Sequence, residues 1–76
     1  PIYFIEHDGF FNREHPYNQG GREYDDNALR FSFFNLAVLD AMRHLKWRPD
    51  VVHCHDWHAA VTPAYLKTRY FHDDFW

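Results

Sequence analysis

The spacing of apolar and polar residues predicts an alternation of strands and helices along the chain. Ile2–Glu6 is a short apolar run rich in β-branched and aromatic side chains, which is typical of a buried strand. Asp50–His55, with adjacent valines at its centre, predicts a second strand. Between them, the acidic pair Asp25 and Asp26 can cap a helix that we expect to end near Lys46. The pattern thus joins two strands through a long helix.

Two further segments complete this pattern. Phe10–Asp25 shows no period and is interrupted by proline, asparagine and glycine, which predicts a surface loop carrying aromatic residues. Trp57–Arg69 predicts a second helix, and Pro63 inside it would remove one backbone hydrogen bond and kink it. The tail from Tyr70 to Trp76 predicts no regular element.

The first predicted helix has apolar residues on two of its sides. One stripe covers an arc of roughly 100° and should face the core; it comprises Phe31, Phe34, Val38, Ala41, Met42 and Leu45. A weaker patch of Leu29, Phe33 and Leu36 lies almost opposite and indicates a further layer or partner outside the chain. Arg30 follows Asp26 by four residues, which predicts an ion pair on the helix surface.

The order of elements predicts the fold class. Two strands joined by a long helix indicate a parallel pair with a right-handed crossover. Parallel sheets are covered on both faces and normally contain more strands than two. We therefore predict an α/β chain, a β-loop-α-β-α fragment of a Rossmann-like, doubly wound parallel sheet. Because Pro1 leads directly into the first strand, we expect the chain to be an excerpt of a larger domain.

Composition and charge narrow the function classes. The 76 residues include eight Phe, five Tyr and three Trp, and Cys54 is the single cysteine, so no disulfide can form within the chain. The net charge is −3 and no basic block occurs, so a nucleic-acid partner is not expected. No apolar run is long enough to span a membrane. Cys54, on the inward side of the second predicted strand, is expected to be an inert buried thiol.

Chemically active side chains concentrate in the segment His53–His58. A metal site is one interpretation, since His53 and His55 share one face of a strand, and Asp56 and His58 could add ligands from the following turn. Neither a distant cysteine pair nor a spaced histidine pair completes a ligand shell. We therefore predict no bound metal and no cofactor.

A ligand crevice and a purely structural role are the other interpretations of this segment. Ligands of open α/β sheets bind at the carboxyl ends of strands, where Asp56, Trp57 and His58 lie. A carboxylate that accepts hydrogen bonds from hydroxyls, beside a tryptophan ring that stacks on a sugar, is a common carbohydrate site. Alternatively, Asp56 caps the second helix, Trp57 fills the core and the histidines bond to backbone.

The segment also resembles a known signature. Trp47–His58, continuing through Ala59 to Leu66, is similar to a characteristic run of bacterial glycogen synthases and plant starch synthases. Upstream segments agree with the family in order, and the resemblance covers nearly all of the chain. The upstream segments that agree are Ile2–Glu6, Phe10–Arg13, Pro16–Tyr17, Asp26–Asn27 and Arg30–Phe31.

The resemblance implies a retaining glycosyltransferase of the GT-B architecture, in which two Rossmann-like domains face each other across a cleft. Such enzymes move glucose from a nucleotide-glucose to the non-reducing end of an α-1,4-glucan. ADP-glucose is the expected donor and UDP-glucose stays open as the alternative, because the residues that choose between them lie elsewhere in the family pattern. Residues 1–76 would be a partial N-terminal, acceptor-side catalytic domain. The resemblance implies that Asp56 is catalytic and that Tyr17, Trp57 and His58 contact substrate, and we include His55 with them.

Other parts of the family pattern fall outside these residues. The family's Lys-x-Gly-Gly segment would precede the chain and its nucleotide-binding domain would follow, so we expect the isolated chain to be inactive. A bacterial cytoplasm or a plastid stroma is the expected compartment. Two alternatives remain open: an autonomous carbohydrate-binding or interaction module, and a small zinc module built on His53, His55, Asp56 and His58.

Overall fold

The computed structural model describes residues 1–76 as a small α/β chain with three α-helices and two antiparallel strands. The elements in chain order are α1 (Asp8–Phe11), β1 (Asn18–Gln19), β2 (Arg22–Glu23), α2 (Asn27–His44), a 3₁₀ turn (Trp57–Ala59) and α3 (Thr62–Lys67). None of the helices is long and apolar enough to cross a membrane. The long helix α2 packs against the 3₁₀ turn and α3.

The two predicted strands are not formed, and the parallel pair is not confirmed. Neither Ile2–Glu6 nor Asp50–His55 is a β-strand, and the sheet of the structure is the β1–β2 hairpin. The physical reason is that a parallel strand needs neighbours on its edges and cover on its faces. Phe4 is 83% exposed and Val51 is 79% exposed, so both segments lack that cover. Exposure still alternates residue by residue across 51–55, as in an extended segment.

The predicted loop Phe10–Asp25 contains regular structure. The ring nitrogen Nδ1 of His7 accepts a hydrogen bond from the Phe10 amide at 3.0 Å and caps α1. Further on, β1 and β2 pair as a tight hairpin through Gly20 and Gly21, whose φ angles are 63° and 76°. Two adjacent residues with positive φ are what a two-residue hairpin turn requires, and glycine adopts them without steric cost.

Helix α2 begins where the pattern predicts it, after Asp26, and ends at His44, two residues before the predicted end. The Asp26 carboxylate makes no capping hydrogen bond, because it pairs with Arg13 instead. At the other end, Lys46 adopts a φ of 56° and the Trp47 amide donates to the Met42 carbonyl at 3.0 Å. A left-handed residue followed by such a bond is a common way to end a helix.

The two apolar sides of α2 differ from expectation. Leu39, at 0% exposure, is the one hydrophobic residue in the buried class, and the predicted core stripe is half open to solvent, with Leu45 46% exposed. The opposite patch is partly covered from within the chain. Phe33 packs against His7 and Phe10, with ring centroids 5.1 and 5.3 Å apart. The expectation that this patch needs an outside partner is therefore wrong for Phe33.

The second predicted helix is divided into the 3₁₀ turn and α3. Pro63 lies in the first turn of α3 rather than inside a longer helix. A proline is well tolerated there, because the missing N–H has no intrahelical partner to lose. The tail after α3 has no regular element, as predicted. It is held to α2 by an ion pair between Arg43 and Asp73.

Candidate functional site

Asp56 lies between the extended segment 50–55 and the 3₁₀ turn, in an unusual backbone conformation. Its φ is 62° and its ψ is −175°, a region that is adopted almost exclusively by glycine. The side chain is exposed and accepts a hydrogen bond from the Trp57 amide at 2.7 Å. A strained residue with an exposed carboxylate is typical of functional sites, since folding alone does not favour it.

Four aromatic rings meet beside this turn and form what we call the aromatic cluster: Tyr17, Phe31, Trp57 and His58. The Trp57 ring lies 4.0 Å from His58, 5.0 Å from Phe31 and 5.6 Å from Tyr17, measured between centroids. Tyr17 and His58 are 4.5 Å apart. Trp57 is 47% exposed and Tyr17 is 40% exposed, so the cluster presents an apolar surface to solvent. Three of the predicted substrate-contacting residues are thus brought together.

His55, the remaining predicted contact, lies outside the cluster. Its ring packs against His53 with 4.2 Å between centroids, and both side chains are exposed. No three side chains among the histidines, cysteine and carboxylates lie close enough to hold a metal ion. Cys54 is half-buried rather than fully buried.

The loop that carries Tyr17 is tied to the start of α2 by buried polar groups. Asn27 donates through Nδ2 to the Tyr17 carbonyl at 2.9 Å. Arg30 donates through Nη1 to Asn27 Oδ1 at 2.6 Å and through Nε to the Phe10 carbonyl at 2.7 Å. Arg30 is 2% exposed, and this burial lowers the pKa of its guanidinium. The predicted surface pair between Arg30 and Asp26 is therefore wrong.

Asp26 forms its ion pair with Arg13 from the preceding loop. The two guanidinium nitrogens Nη1 and Nη2 donate to the two carboxylate oxygens at 2.8 and 2.7 Å. Arg13 also donates to the Gly9 carbonyl at 3.0 Å. This bidentate hydrogen bonding lowers the pKa of Asp26 and raises the pKa of Arg13. The loop is thereby held at both α1 and the start of α2.

The 3₁₀ turn is tied to the middle of α2 by Asn35, which is fully buried at 0% exposure. Its Nδ2 donates to the carbonyl of His58 at 2.7 Å, and its Oδ1 accepts from the Thr62 amide at 2.8 Å. Both sides of the aromatic cluster therefore depend on α2: the loop on its first turn, and the 3₁₀ turn on its middle.

A cavity opens on the side of the cluster that faces the N-terminal segment. Its volume is about 410 Å³, and it is lined by Tyr3, Phe4, Ile5, Phe11, Tyr17, Phe31, Phe34 and His58. The Nε2 atom of His58 is buried and has no hydrogen-bond partner in the chain. This ring nitrogen is therefore a buried polar group that the chain itself leaves unsatisfied.

Comparison with known proteins places this arrangement in a family. The family model described as the starch synthase catalytic domain matches residues 1–76, which is the whole chain. The chain belongs to this family. The resemblance of the segment Trp47–Leu66 to glycogen and starch synthases is thereby confirmed.

The sequences of several glycogen synthases are similar to this chain over nearly its whole length. The chain is 51% identical to a glycogen synthase of Thermodesulfovibrio yellowstonii over 69 residues, 91% of this chain and 14% of that protein. It is 46% identical to a glycogen synthase of Geotalea daltonii over 67 residues, 88% of this chain and 14% of that protein. It is 44% identical to glycogen synthase 2 of Geobacter metallireducens over 75 residues, 99% of this chain and 16% of that protein. The chain therefore spans 14–16% of the length of these relatives. No solved structure matches it.

The polar groups that hold this starch synthase segment together were missed by sequence reasoning. They are Arg13, Asn27, Arg30 and Asn35. A signal exists for Asn35, since a polar residue between Phe34 and Leu36 interrupts an otherwise apolar stretch of helix. Its partners lie far along the chain, and the pattern gives no indication of them.

Proposed function

We propose that this chain is an acceptor-side part of the catalytic domain of a retaining glucosyltransferase that extends glycogen or starch. The match of all 76 residues to the starch synthase catalytic domain carries this proposal. Glucose is transferred from a nucleotide-glucose, with ADP-glucose preferred to UDP-glucose, to the non-reducing end of an α-1,4-glucan. The proposed compartment is a bacterial cytoplasm or a plastid stroma.

The architecture proposed for the complete protein is GT-B, with this chain in the N-terminal Rossmann-like domain. The extended segments 2–6 and 50–55 then become strands of a parallel sheet whose other strands lie outside these residues. The alternating exposure across 51–55 supports this, because side chains of a strand point to opposite faces in turn. In such a sheet Asp56 stands at the carboxyl end of a strand, where ligands of α/β domains bind.

Asp56 is the proposed catalytic residue. Glucosyl transfer breaks the bond between C1 of glucose and the diphosphate oxygen and forms a bond from C1 to the acceptor hydroxyl oxygen, and the departing diphosphate takes up the proton of that hydroxyl. Positive charge develops on the sugar ring in the oxocarbenium-like transition state, and a fixed carboxylate stabilises it. The exposed carboxylate and the strained backbone of Asp56 support this role.

The aromatic cluster is the proposed acceptor surface. The half-exposed rings of Trp57 and Tyr17 offer flat apolar faces on which glucose rings stack, while sugar hydroxyls remain free for hydrogen bonds. The ring of His58 lines the neighbouring cavity and adds a further contact for the glucan. His55, exposed and adjacent to Asp56, makes a further contact at the rim.

The proposed reaction is tested with the full-length protein that contains this chain. Labelled ADP-glucose or UDP-glucose is supplied with maltoheptaose, and the products are separated by size and analysed for anomeric configuration by NMR. We expect glucan extended by α-1,4-linked glucose, with faster transfer from ADP-glucose. Release of free glucose without glucan extension, or a β-linked product, would contradict the proposal.

A further inference from the structure

We propose that Asn35 is a positioning residue that fixes the turn bearing Asp56, Trp57 and His58 against α2. The inference rests on the proposed function of that turn as the site of glucan binding and transfer. Asn35 is fully buried in the middle of α2. It forms hydrogen bonds with backbone groups and with Thr62, but none with an aromatic ring of the cluster or with the Asp56 carboxylate. It therefore acts through other residues rather than on substrate.

The hydrogen bonds of Asn35 use the whole amide group. Nδ2 donates to the carbonyls of His58, at 2.7 Å, and Phe31, at 2.5 Å. Oδ1 accepts from the Thr62 amide at 2.8 Å and from the Thr62 hydroxyl at 2.5 Å. An amide has two N–H donors and one oxygen with two acceptor positions, so every one is satisfied. The nitrogen faces two carbonyl oxygens and the oxygen faces two donors. An amide side chain satisfies all four partners, whereas an ionised carboxylate cannot donate to the two carbonyls.

The partners of Asn35 bracket the turn. The His58 carbonyl belongs to the 3₁₀ turn, and the Thr62 amide is a free N–H at the start of α3, so one side chain holds both ends of segment 58–62. The Phe31 carbonyl lies one helical turn before Asn35, and the Phe31 ring lies 5.0 Å from Trp57. Loss of the amide donor therefore shifts Trp57 and His58 together relative to Tyr17.

This geometry predicts a selective kinetic effect. Displacement of Trp57 and His58 weakens contact with the glucan acceptor, whereas the nucleotide-glucose donor is bound elsewhere in the proposed enzyme. We expect a higher KM for maltoheptaose and an unchanged KM for the donor. Displacement of Asp56 in the same turn also lowers kcat, so the KM for maltoheptaose is the readout that distinguishes the two roles. A purely structural role of Asn35 would lower the amount of active enzyme and leave both KM values unchanged.

The test uses Asn35→Asp in the full-length protein, with Asn12→Asp as a charge-matched control on an exposed residue. When ionised, the introduced carboxylate would face two carbonyl oxygens, but in its protonated form it can still donate to the His58 carbonyl. Burial raises the pKa of such a carboxyl group. We expect the maltoheptaose KM of Asn35→Asp to exceed that of the unmodified protein about five- to tenfold near pH 8, and to approach it near pH 5. The control should follow the unmodified protein throughout.

Hydrogen exchange gives a readout that does not depend on activity. Peptides covering residues 56–62 should exchange faster in Asn35→Asp than in the unmodified protein at high pH, and equally fast at low pH. Thr62→Val, which removes only the hydroxyl donor to Asn35, should produce a smaller change in the same direction.

The outcomes separate this inference from the proposed function. An unchanged maltoheptaose KM together with unchanged exchange in 56–62 overturns the role of Asn35, whether or not kcat falls. If the unmodified protein does not extend glucan, the proposed function fails. The exchange data alone then decide whether Asn35 fixes the turn: pH-dependent loss of protection supports it, and equal protection refutes it.

Discussion

At the scale of single residues, the backbone of Asp56 leads to a prediction about stability. Any side chain with a Cβ is strained at φ 62° and ψ −175°, whereas glycine is not. We therefore expect the free energy of unfolding of Asp56→Gly to exceed that of Asp56→Ala by about 1–2 kcal/mol, after allowance for the larger entropy loss of glycine. Urea unfolding of both variants in the full-length protein measures this difference. Equal free energies of unfolding for the two variants would show that the backbone at residue 56 is not strained in the full-length protein.

The tryptophans of the chain allow a matched test of the aromatic cluster. Trp57→Leu removes a ring that contacts Tyr17, Phe31 and His58. We expect the affinity of the full-length protein for maltoheptaose to fall about three- to tenfold, since a stacked aromatic contact contributes about 0.5–1.5 kcal/mol. Isothermal titration measures it. Trp47→Leu is the control, because Trp47 is 56% exposed and lies outside the cluster; an equal effect of both variants would argue against the cluster as the acceptor surface.

The residues of the candidate site were predictable to different degrees. Tyr17, Trp57 and His58 were selected by residue type and by resemblance, and the structure brings them together. Arg30 and Asn35 were not predicted as buried, because a buried polar side chain is stable only with its partners. Those partners are backbone carbonyls and amides that lie distant in sequence, and local periodicity carries no information about them.

At the scale of elements, the attachment of the loop to α2 is expected to weaken in acid. Because Arg13 lowers the pKa of Asp26 in the folded state, the unfolded state binds the proton more tightly. The stabilisation by Asp26 is complete above the ordinary aspartate pKa of about 3.9 and is lost as the pH falls through the lower pKa of the folded state. Asp26→Asn should therefore be less stable than the unmodified full-length protein at neutral pH and equally stable well below a pH of about 3.9.

The neighbouring ion pair supplies the control for this prediction. Arg22 and Asp25 are 3.2 Å apart, but their side chains are 80% and 87% exposed. Solvent-exposed pairs contribute little to stability. The free energy of unfolding of Asp25→Asn should therefore match that of the unmodified protein across the same pH range. If Asp25→Asn lost as much stability as Asp26→Asn, the change in net charge would explain the effect of Asp26→Asn, and the contact with Arg13 would not.

The elements themselves show why helix α2 was predicted well and the strands were not. A helix satisfies its hydrogen bonds internally, so its position follows from local pattern and capping. A strand needs a partner, and the segments 2–6 and 50–55 have none within the chain. The hairpin at Gly20 and Gly21 was overlooked, although adjacent glycines are a recognised hairpin signal.

At the scale of the whole molecule, the chain has little hydrophobic core. Leu39 is the one buried hydrophobic residue, whereas Ile2 and Phe4 are 82% and 83% exposed. We therefore expect the isolated chain to give a poorly dispersed proton–nitrogen correlation spectrum and to release no heat when titrated with maltoheptaose. A dispersed spectrum with saturable binding would instead support an autonomous carbohydrate-binding module.

Membership of the starch synthase family was predictable from sequence although the fold was predictable only in part. The segment Trp47–Leu66 carries enough specific residues to indicate the family, and the family match extends over residues 1–76. The α/β class and the central helix followed from periodicity. The parallel sheet is not confirmed, because the segments 2–6 and 50–55 have no strand partner within these residues.

The central claim is that this chain carries the catalytic carboxylate of a glucan-extending transferase, and the turnover of Asp56→Asn tests it most directly. Asparagine keeps the size of the side chain and an oxygen for the Trp57 amide, and its Cβ meets the same backbone strain as that of aspartate, so folding should be preserved. We measure kcat for glucose transfer from ADP-glucose to maltoheptaose in the full-length protein, with Asp50→Asn as an exposed control. We expect kcat to fall on the order of 100-fold or more for Asp56→Asn and to stay unchanged for the control. Turnover of Asp56→Asn within about twofold of the unmodified protein would contradict the central claim.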